Sequence, residues 1–187
     1  MKNDILILAS SSPRRKGLLS KITDNFIIQS PTGEEKSEGT PTEVVTSNAL
    51  SKGRSIKGNF VLACDTVVAY KNTIYGKPHD YEDACKTLKF LSNKTHSVYT
   101  GVYVRHNEEE TVFFDESSVT FKKLSDEDVI YYVDNYNPLD KAGSYGIQDG
   151  IIIAGYEGSY DNIMGLPTEK LREILKRYIY VKEERND

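Results

Sequence analysis

The 187-residue chain is poor in the side chains that build metal centres and disulfide frameworks, with only two cysteines, Cys64 and Cys85, and three histidines, His79, His96 and His106. The cysteines have no metal-type spacing and the histidines no H-E-x-x-H pattern, so a zinc site is not expected and each histidine reads as a surface or turn residue. So few cysteines suit a reduced, cytosolic compartment. No apolar run is long enough to cross a membrane. The apolar start, residues 5–9, is too short for a signal-peptide core and runs into arginines rather than a small-residue cleavage site, so a soluble cytoplasmic protein is expected. No G-x-x-x-x-G-K-[ST] occurs, which argues against a P-loop, and no G-x-S-x-G, which argues against a hydrolase elbow. A basic excess is also missing. The formal charge is -4, which removes the overall footprint of a duplex nucleic-acid binder and leaves room only for a local basic pocket.

What is present supports a packed core, since 38% of residues are hydrophobic and 28% charged. The length favours a single domain over 1–187, with room for two lobes. Residues 5–9 read as a buried strand, followed by a helix from about Ser12 with Leu18, Leu19 and Ile22 at helical spacing. Residues 26–29 form a second strand, and 31–39 a loop. Thr40-Pro41-Thr42-Glu43 is a capping box with proline at the first helical position, opening a helix that carries Val44, Val45, Ala49 and Lys52 and ends near Gly58. Residues 60–70 read as a central strand that reverses at Lys71-Asn72 into a short partner. Asp80 caps a helix with Ala84, Leu88 and Leu91 inward, and Ser125 caps another with Val129, Tyr132 and Val133. Two further strands, 96–105 and 112–121, meet at a polar turn over 107–110. Residues 137–150 read as a glycine-rich loop, 151–154 as a strand, and Thr168 starts a last helix, followed by a charged, frayed tail from Lys182. Helices between strands, with two hairpins, indicate an α/β fold with a mixed β-sheet.

Five groups of residues are candidates for chemistry. Ser10-Ser11-Ser12-Pro13-Arg14-Arg15 places hydroxyls, free N–H groups and two guanidinium groups at a helix start, a receptor for a polyanion. Asp65 interrupts an otherwise buried strand. Its carboxylate either hydrogen-bonds to backbone at a bend or serves as a general base or magnesium ligand. Glu34 and Glu35 are solvated loop acids unless Glu35 folds back towards Asp65, in which case the pair suits Mg²⁺ held with substrate phosphates. Lys77 is fixed in a Gly-Lys-Pro turn, Lys52 lies on a helix, and Asp140-Lys141-Ala142-Gly143-Ser144-Tyr145-Gly146-Ile147-Gln148 is either an ordinary structured loop or a ligand loop. In the second case its glycines admit close approach and Gln148 reads a base edge.

In order and spacing these pieces, with Gly165-Leu166-Pro167, resemble the Maf family of nucleoside triphosphate pyrophosphatases over nearly the whole chain. The resemblance implies an elongated mixed β-sheet flanked by helices, two lobes with a central cleft, and a fold like the inosine triphosphate pyrophosphatases. It implies hydrolysis between the α and β phosphates with a divalent metal cation, Mg²⁺ or Mn²⁺, and a homodimer. It implies Asp65 as proton acceptor, and Ser10, Arg15, Glu35, Lys52 and Lys77 as holders of phosphate or metal, with Glu35 and Asp65 the metal ligands. Arg14, Thr66 and Gln148 fall at the positions that sort the family by base, and their combination resembles the dTTP and UTP subgroup. Cys64 stands where the family usually has Ala or Gly, which adds an expected redox sensitivity. Two other readings remain open at this point: a nucleotide-binding regulator of cell division (septum formation), and a pool-cleaning hydrolase of modified nucleotides.

Overall fold

The computed structural model describes residues 4–182. Seven strands form one mixed sheet: β1 (Leu6–Ala9), β2 (Phe26–Gln29), β3 (Phe60–Tyr70), β4 (Thr73–Tyr75), β5 (Thr95–His106), β6 (Glu109–Phe121) and β7 (Ile153–Glu157). The helices are α1 (Pro13–Ser20), α2 (Pro41–Arg54), α3 (Tyr81–Leu91), α4 (Asp126–Tyr136), α5 (Tyr160–Ile163) and α6 (Thr168–Leu175). The strand order is β2-β1-β3-β5-β6-β7, with β4 paired to β3 off that path.

The pairing of β3 explains the rest of the molecule. One of its edges is fully covered, because Phe60 to Ala69 pair antiparallel with His106 to Ser97 of β5. The other edge is shared by two short strands. β1 runs parallel to Val61–Ala63, and β4 runs antiparallel to Val68–Tyr70. Between them, residues 64–67 have no strand neighbour on that side among the described residues. Around this opening the apolar core divides into two large clusters, with two smaller ones that include α2 residues. Leu6, Leu8, Leu62, Cys64, Val102 and Leu166 pack with α1 and α6 at one end, while Val68, Val98, Val119 and Phe121 pack with α3 and α4 at the other.

The local signals act as expected for the most part. Thr40 and Ser125 each form a reciprocal capping box, Asp80 accepts from the Asp83 N–H, and Lys71 and Asn72 both take positive φ (49° and 66°) in the tight β3–β4 turn. Several expectations are corrected. Ile5 lies outside β1 and is exposed. α2 stops at Arg54 rather than near Gly58. The turn between β5 and β6 is only residues 107–108, with Glu109 and Glu110 already paired to His106 and Arg105. Residues 151 and 152 belong to a turn, so β7 begins at Ile153. The loop over 137–150 is folded into three 3-10 turns around buried Tyr145 and Ile147. α5 was not anticipated; its cap is the Ser159 hydroxyl, which accepts from Asn162 N–H. His96 is no surface residue but is buried at 2% exposure against Phe121 and Tyr145. Lys182, expected to fray, is tied by its ammonium to Ser20 O and Asp24; the rest of the charged tail lies outside the described residues.

Candidate active site

The gap in the sheet is the floor of a cleft of about 700 Å³. Alternation along β3 sends Asp65 and Thr66 to opposite faces of the sheet at this gap. Asp65 faces α2, and Thr66 faces α1 and the turn after α5. All nine residues picked out in the sequence line this one cleft: Ser10, Arg14, Arg15, Glu35, Lys52, Asp65, Thr66, Lys77 and Gln148.

On the α2 face, Val44, Asn48 and Lys52 form a stripe with a four-residue spacing, a buried row on one side of a helix. Lys52 Nζ lies 2.6 Å from Asp65 Oδ1 and 3.2 Å from Glu35 Oε1, so a single ammonium draws the strand acid and the loop acid together. Glu35 therefore does fold back towards Asp65. Asp65 and Lys52 are only 7% and 9% exposed, so removing either partner leaves a buried charge uncompensated, at a cost of roughly 3–5 kcal/mol. α2 can approach this closely because its other stripe meets Gly101 of β5. A Cβ on Gly101 of β5 would sit 2.3 Å from the Val45 carbonyl oxygen.

On the other face, Arg15 Nε donates to Gly165 O at 2.8 Å and Arg15 NH2 to Thr66 Oγ1 at 3.0 Å. Thr66 in turn contacts Thr100 Oγ1 at 3.0 Å, and Thr100 donates to Asn162 O. The Arg15 guanidinium is thus held rigid before any ligand arrives. Gly165 has φ +107°, a conformation that glycine tolerates and that turns its carbonyl onto Arg15. Ser12 caps α1, with its hydroxyl accepting from Arg15 N–H, and Ser10 Oγ accepts from Ser12 N–H. Arg14 reaches across the mouth to Asp140 Oδ2 at 3.1 Å. Partial burial works against ionising Asp140, but hydrogen bonds from Lys141 and Arg14 outweigh it and hold the carboxyl below its usual range.

The loop that bears Gln148 is anchored on both sides. Gly143 N–H donates to Gly76 O, tying it to the turn that carries Lys77. Tyr132 OH donates to Asp149 and accepts from Gly146 N–H, which supplies the part played by Asp149. The glycines of this loop make room for the protein itself. A Cβ at Gly146 would collide with the Gln148 amide, 2.2 Å from Nε2, and one at Gly143 with Val68. Gln148 itself is exposed at the cleft wall, and Lys77 makes no hydrogen bond or ion pair among the described residues.

A family model of Maf-like proteins matches residues 5–178. This chain belongs to the Maf family. The Maf chain is 42% identical over 174 residues to the dTTP/UTP pyrophosphatase of Thermosipho africanus, covering 91% of each chain. It is 40% identical to the protein of that name from Bacillus cereus, covering 92% of this chain and 95% of the relative. The one from Flavobacterium johnsoniae is also 40% identical, over 94% and 95%. Among solved structures, the Staphylococcus aureus Ham1 protein aligns with a TM-score of 0.53 over 92% of this chain and 98% of its own, at 18% identity. That likeness concerns the fold alone, and it agrees with the expected mixed sheet flanked by helices.

Two features of this Maf site escaped the sequence. Asn48 is buried between Asp65 and the Glu35 loop; its only signal was its position one turn before Lys52. Thr100 backs Thr66 from β5, and strand pairing alone puts it there. Cys64 departs from its expected role. It packs in the core rather than in the cleft, and burial pushes its thiol up to about 11, so an accessible thiolate is not available for redox chemistry. As for a metal, no group of three or more His, Cys, Asp or Glu side chains comes together among the described residues. Two carboxylates, Asp65 and Glu35, nonetheless converge on one cationic point, the Lys52 ammonium. That donor pair fits an ion that keeps waters and shares its coordination with phosphate oxygens.

Proposed function

We propose that the chain is a nucleoside triphosphate pyrophosphatase that hydrolyses dTTP and UTP to the monophosphate and pyrophosphate. The observation that carries this reading is the convergence of a buried carboxylate, Asp65, with fixed guanidinium groups in one cleft. Relatives at about 40% identity over nine-tenths of the chain bear the name dTTP/UTP pyrophosphatase. The cytoplasm, where two free thiols stay reduced, is the compartment of this proposal.

In the mechanism the triphosphate enters between Arg14 and Arg15 on α1 and Lys77 on the β4–α3 turn. Arg14 exchanges its Asp140 contact for phosphate. Arg15, preset by Gly165 and Thr66, offers its remaining N–H groups without reorganisation, the condition under which electrostatic stabilisation is strongest. A divalent cation, Mg²⁺ or Mn²⁺, would be held by Asp65 and Glu35 with the phosphates and would neutralise charge on them. Asp65 orients a water for in-line attack on the α phosphorus and receives its proton. The new bond joins that water oxygen to the α phosphorus, the α–β anhydride bond breaks, and pyrophosphate leaves. Lys52 keeps Asp65 and Glu35 aligned during the step. The base is read by Gln148, whose amide offers both a donor and an acceptor to the carbonyl and imide of a pyrimidine. Thr66, with its hydroxyl engaged by Arg15 and Thr100, contributes by holding Arg15.

The test is a panel of nucleoside triphosphates with pyrophosphate detection, run on the wild type and on Asp65→Asn. Turnover of dTTP and UTP should exceed that of the purine nucleotides. The variant should lose at least about a hundredfold in kcat, the scale of a lost general base, at a temperature where thermal unfolding shows that it is still folded despite the uncompensated Lys52 charge. Near-normal turnover of Asp65→Asn would reject the assignment. Nucleotide binding without any pyrophosphate release would favour a sensing role instead.

A further inference from the structure

Asn48 is only 3% exposed, and its amide bonds in three directions. Oδ1 accepts from the Lys36 backbone N–H at 2.7 Å, while Nδ2 donates to the Lys36 carbonyl at 2.9 Å and to Asp65 Oδ2 at 3.0 Å. Lys36 decides which way the amide points, because an N–H requires the oxygen and a carbonyl requires the NH₂. The remaining N–H is then aimed at Asp65 Oδ2, to which it donates.

The two partners of Asp65 differ in kind. Lys52 is a point charge on a flexible stem, and it also serves Glu35. A carboxylate turns easily about its last torsion, so such a partner fixes distance but not the plane. Asn48 is planar, buried and clamped by the backbone of the neighbouring residue of Glu35. It is therefore the group that sets the plane of the Asp65 carboxylate, and its grip on Lys36 makes the loop acid and the strand acid one rigid unit.

We propose that Asn48 is a positioning residue for hydrolysis, orienting Asp65 towards the attacking water and coupling the Glu35 loop to it. This inference rests on the reading of Asp65 as the group that orients water. A misplacement of about 1 Å can cost about a hundredfold in rate, and a smaller tilt of the carboxylate correspondingly less.

The experiment is a double-mutant cycle on the full chain, with Asn48→Leu and Asn48→Ser each made alone and together with Asp65→Asn. Rates are read as pyrophosphate release from dTTP in single turnover at high enzyme concentration, and folding is checked by thermal unfolding. Asn48→Ser, which is smaller, keeps the test alive if the leucine variant fails to fold. The expected result is a fall of about tenfold in kcat with KM within about twofold, because positioning acts on the transition state more than on ground-state binding. In the Asp65→Asn background the same substitutions should change the rate by less than about twofold, since a residue that acts through Asp65 has nothing left to position. A folded Asn48 variant with near-wild-type kcat overturns the proposal, and so does an equal loss in both backgrounds or a loss confined to KM, which would make Asn48 only a tether for the loop. If Asp65→Asn alone keeps normal turnover, the parent reading fails first and the inference falls with it.

Discussion

His96 shows how one buried side chain sets a pH limit on the whole fold. It sits on β5 with Nε2 2.8 Å from Tyr145 OH and its ring edge-on to Phe121. Burial lowers its pKa from 6.5 to about 4, so the folded state resists a proton that the unfolded chain accepts. The contribution of the neutral ring to stability is complete above pH 6.5 and is lost as pH falls from there towards 4. At pH 4.5 that loss comes to about 2 kcal/mol. His96→Gln, which keeps a polar partner for Tyr145, should therefore show a smaller stability drop between pH 7 and pH 4.5, by about 2 kcal/mol. Urea unfolding at the two pH values measures it; identical drops in the two proteins would disprove it. At this scale Asp65 was legible in the sequence, because a carboxylate in a run of Val, Ala and Leu demands a partner. His96 was not, since β-strand periodicity does not tell which histidine faces a core.

Elements matter here through how closely they approach one another. Gly101 lets α2 lie against β5, and α2 carries both Lys52 and Asn48. Gly101→Ala would push a methyl group against the Val45 backbone, which cannot rotate away as a side chain tip does. We expect a destabilisation of about 1–3 kcal/mol, with kcat reduced because the α2 stripe shifts relative to Asp65. Thermal unfolding and turnover on one preparation test both parts, and an unchanged melting temperature would show that α2 yields freely. The loop over 138–149 depends on α4 in the same way. Tyr132→Phe removes the hydroxyl that joins Gly146 N–H and Asp149, so Gln148 loses its fixed platform. The preference for dTTP and UTP over purine triphosphates, read as a ratio of kcat/KM, should fall severalfold, while an intact preference would mean that the turn stands without this anchor. Capping boxes and the β3–β4 turn were readable because their signals act within four residues. The three 3-10 turns were not, since Tyr145 and Ile147 are buried only once α3 and β3 close over them.

The whole molecule separates its charge. The chain carries -4, yet the cleft gathers Arg14, Arg15, Lys36, Lys52, Lys77 and Lys141 against Glu35, Asp65 and Asp140. A cleft with this cationic excess draws polyanions in through long-range attraction that salt screens. Raising ionic strength from about 0.05 to about 0.5 M should therefore raise KM for dTTP severalfold and leave kcat within about twofold, since the contacts around Asp65 are buried and screened less. Steady-state kinetics at fixed free metal test this, and a fall in kcat at constant KM would contradict it. The two larger hydrophobic clusters lie on either side of the β3 gap, so the cleft is a seam between them.

Local order and local chemistry came from the chain itself: the caps, the strand at 60–70, the tight turn at Lys71-Asn72, and the clusters around Ser10, Asp65 and Gln148. These depend on neighbours within a turn of helix or a stretch of strand. The tertiary structure alone decided that β1 joins the same edge of β3 onto which the β4 hairpin folds, leaving residues 64–67 uncovered between the two. The β1–β3 pairing joins segments about 54 residues apart (Ile7 with Val61), where no periodicity reaches. It turns an acid in a buried strand, an amide on a helix and two arginines at another helix start into the walls of one cleft.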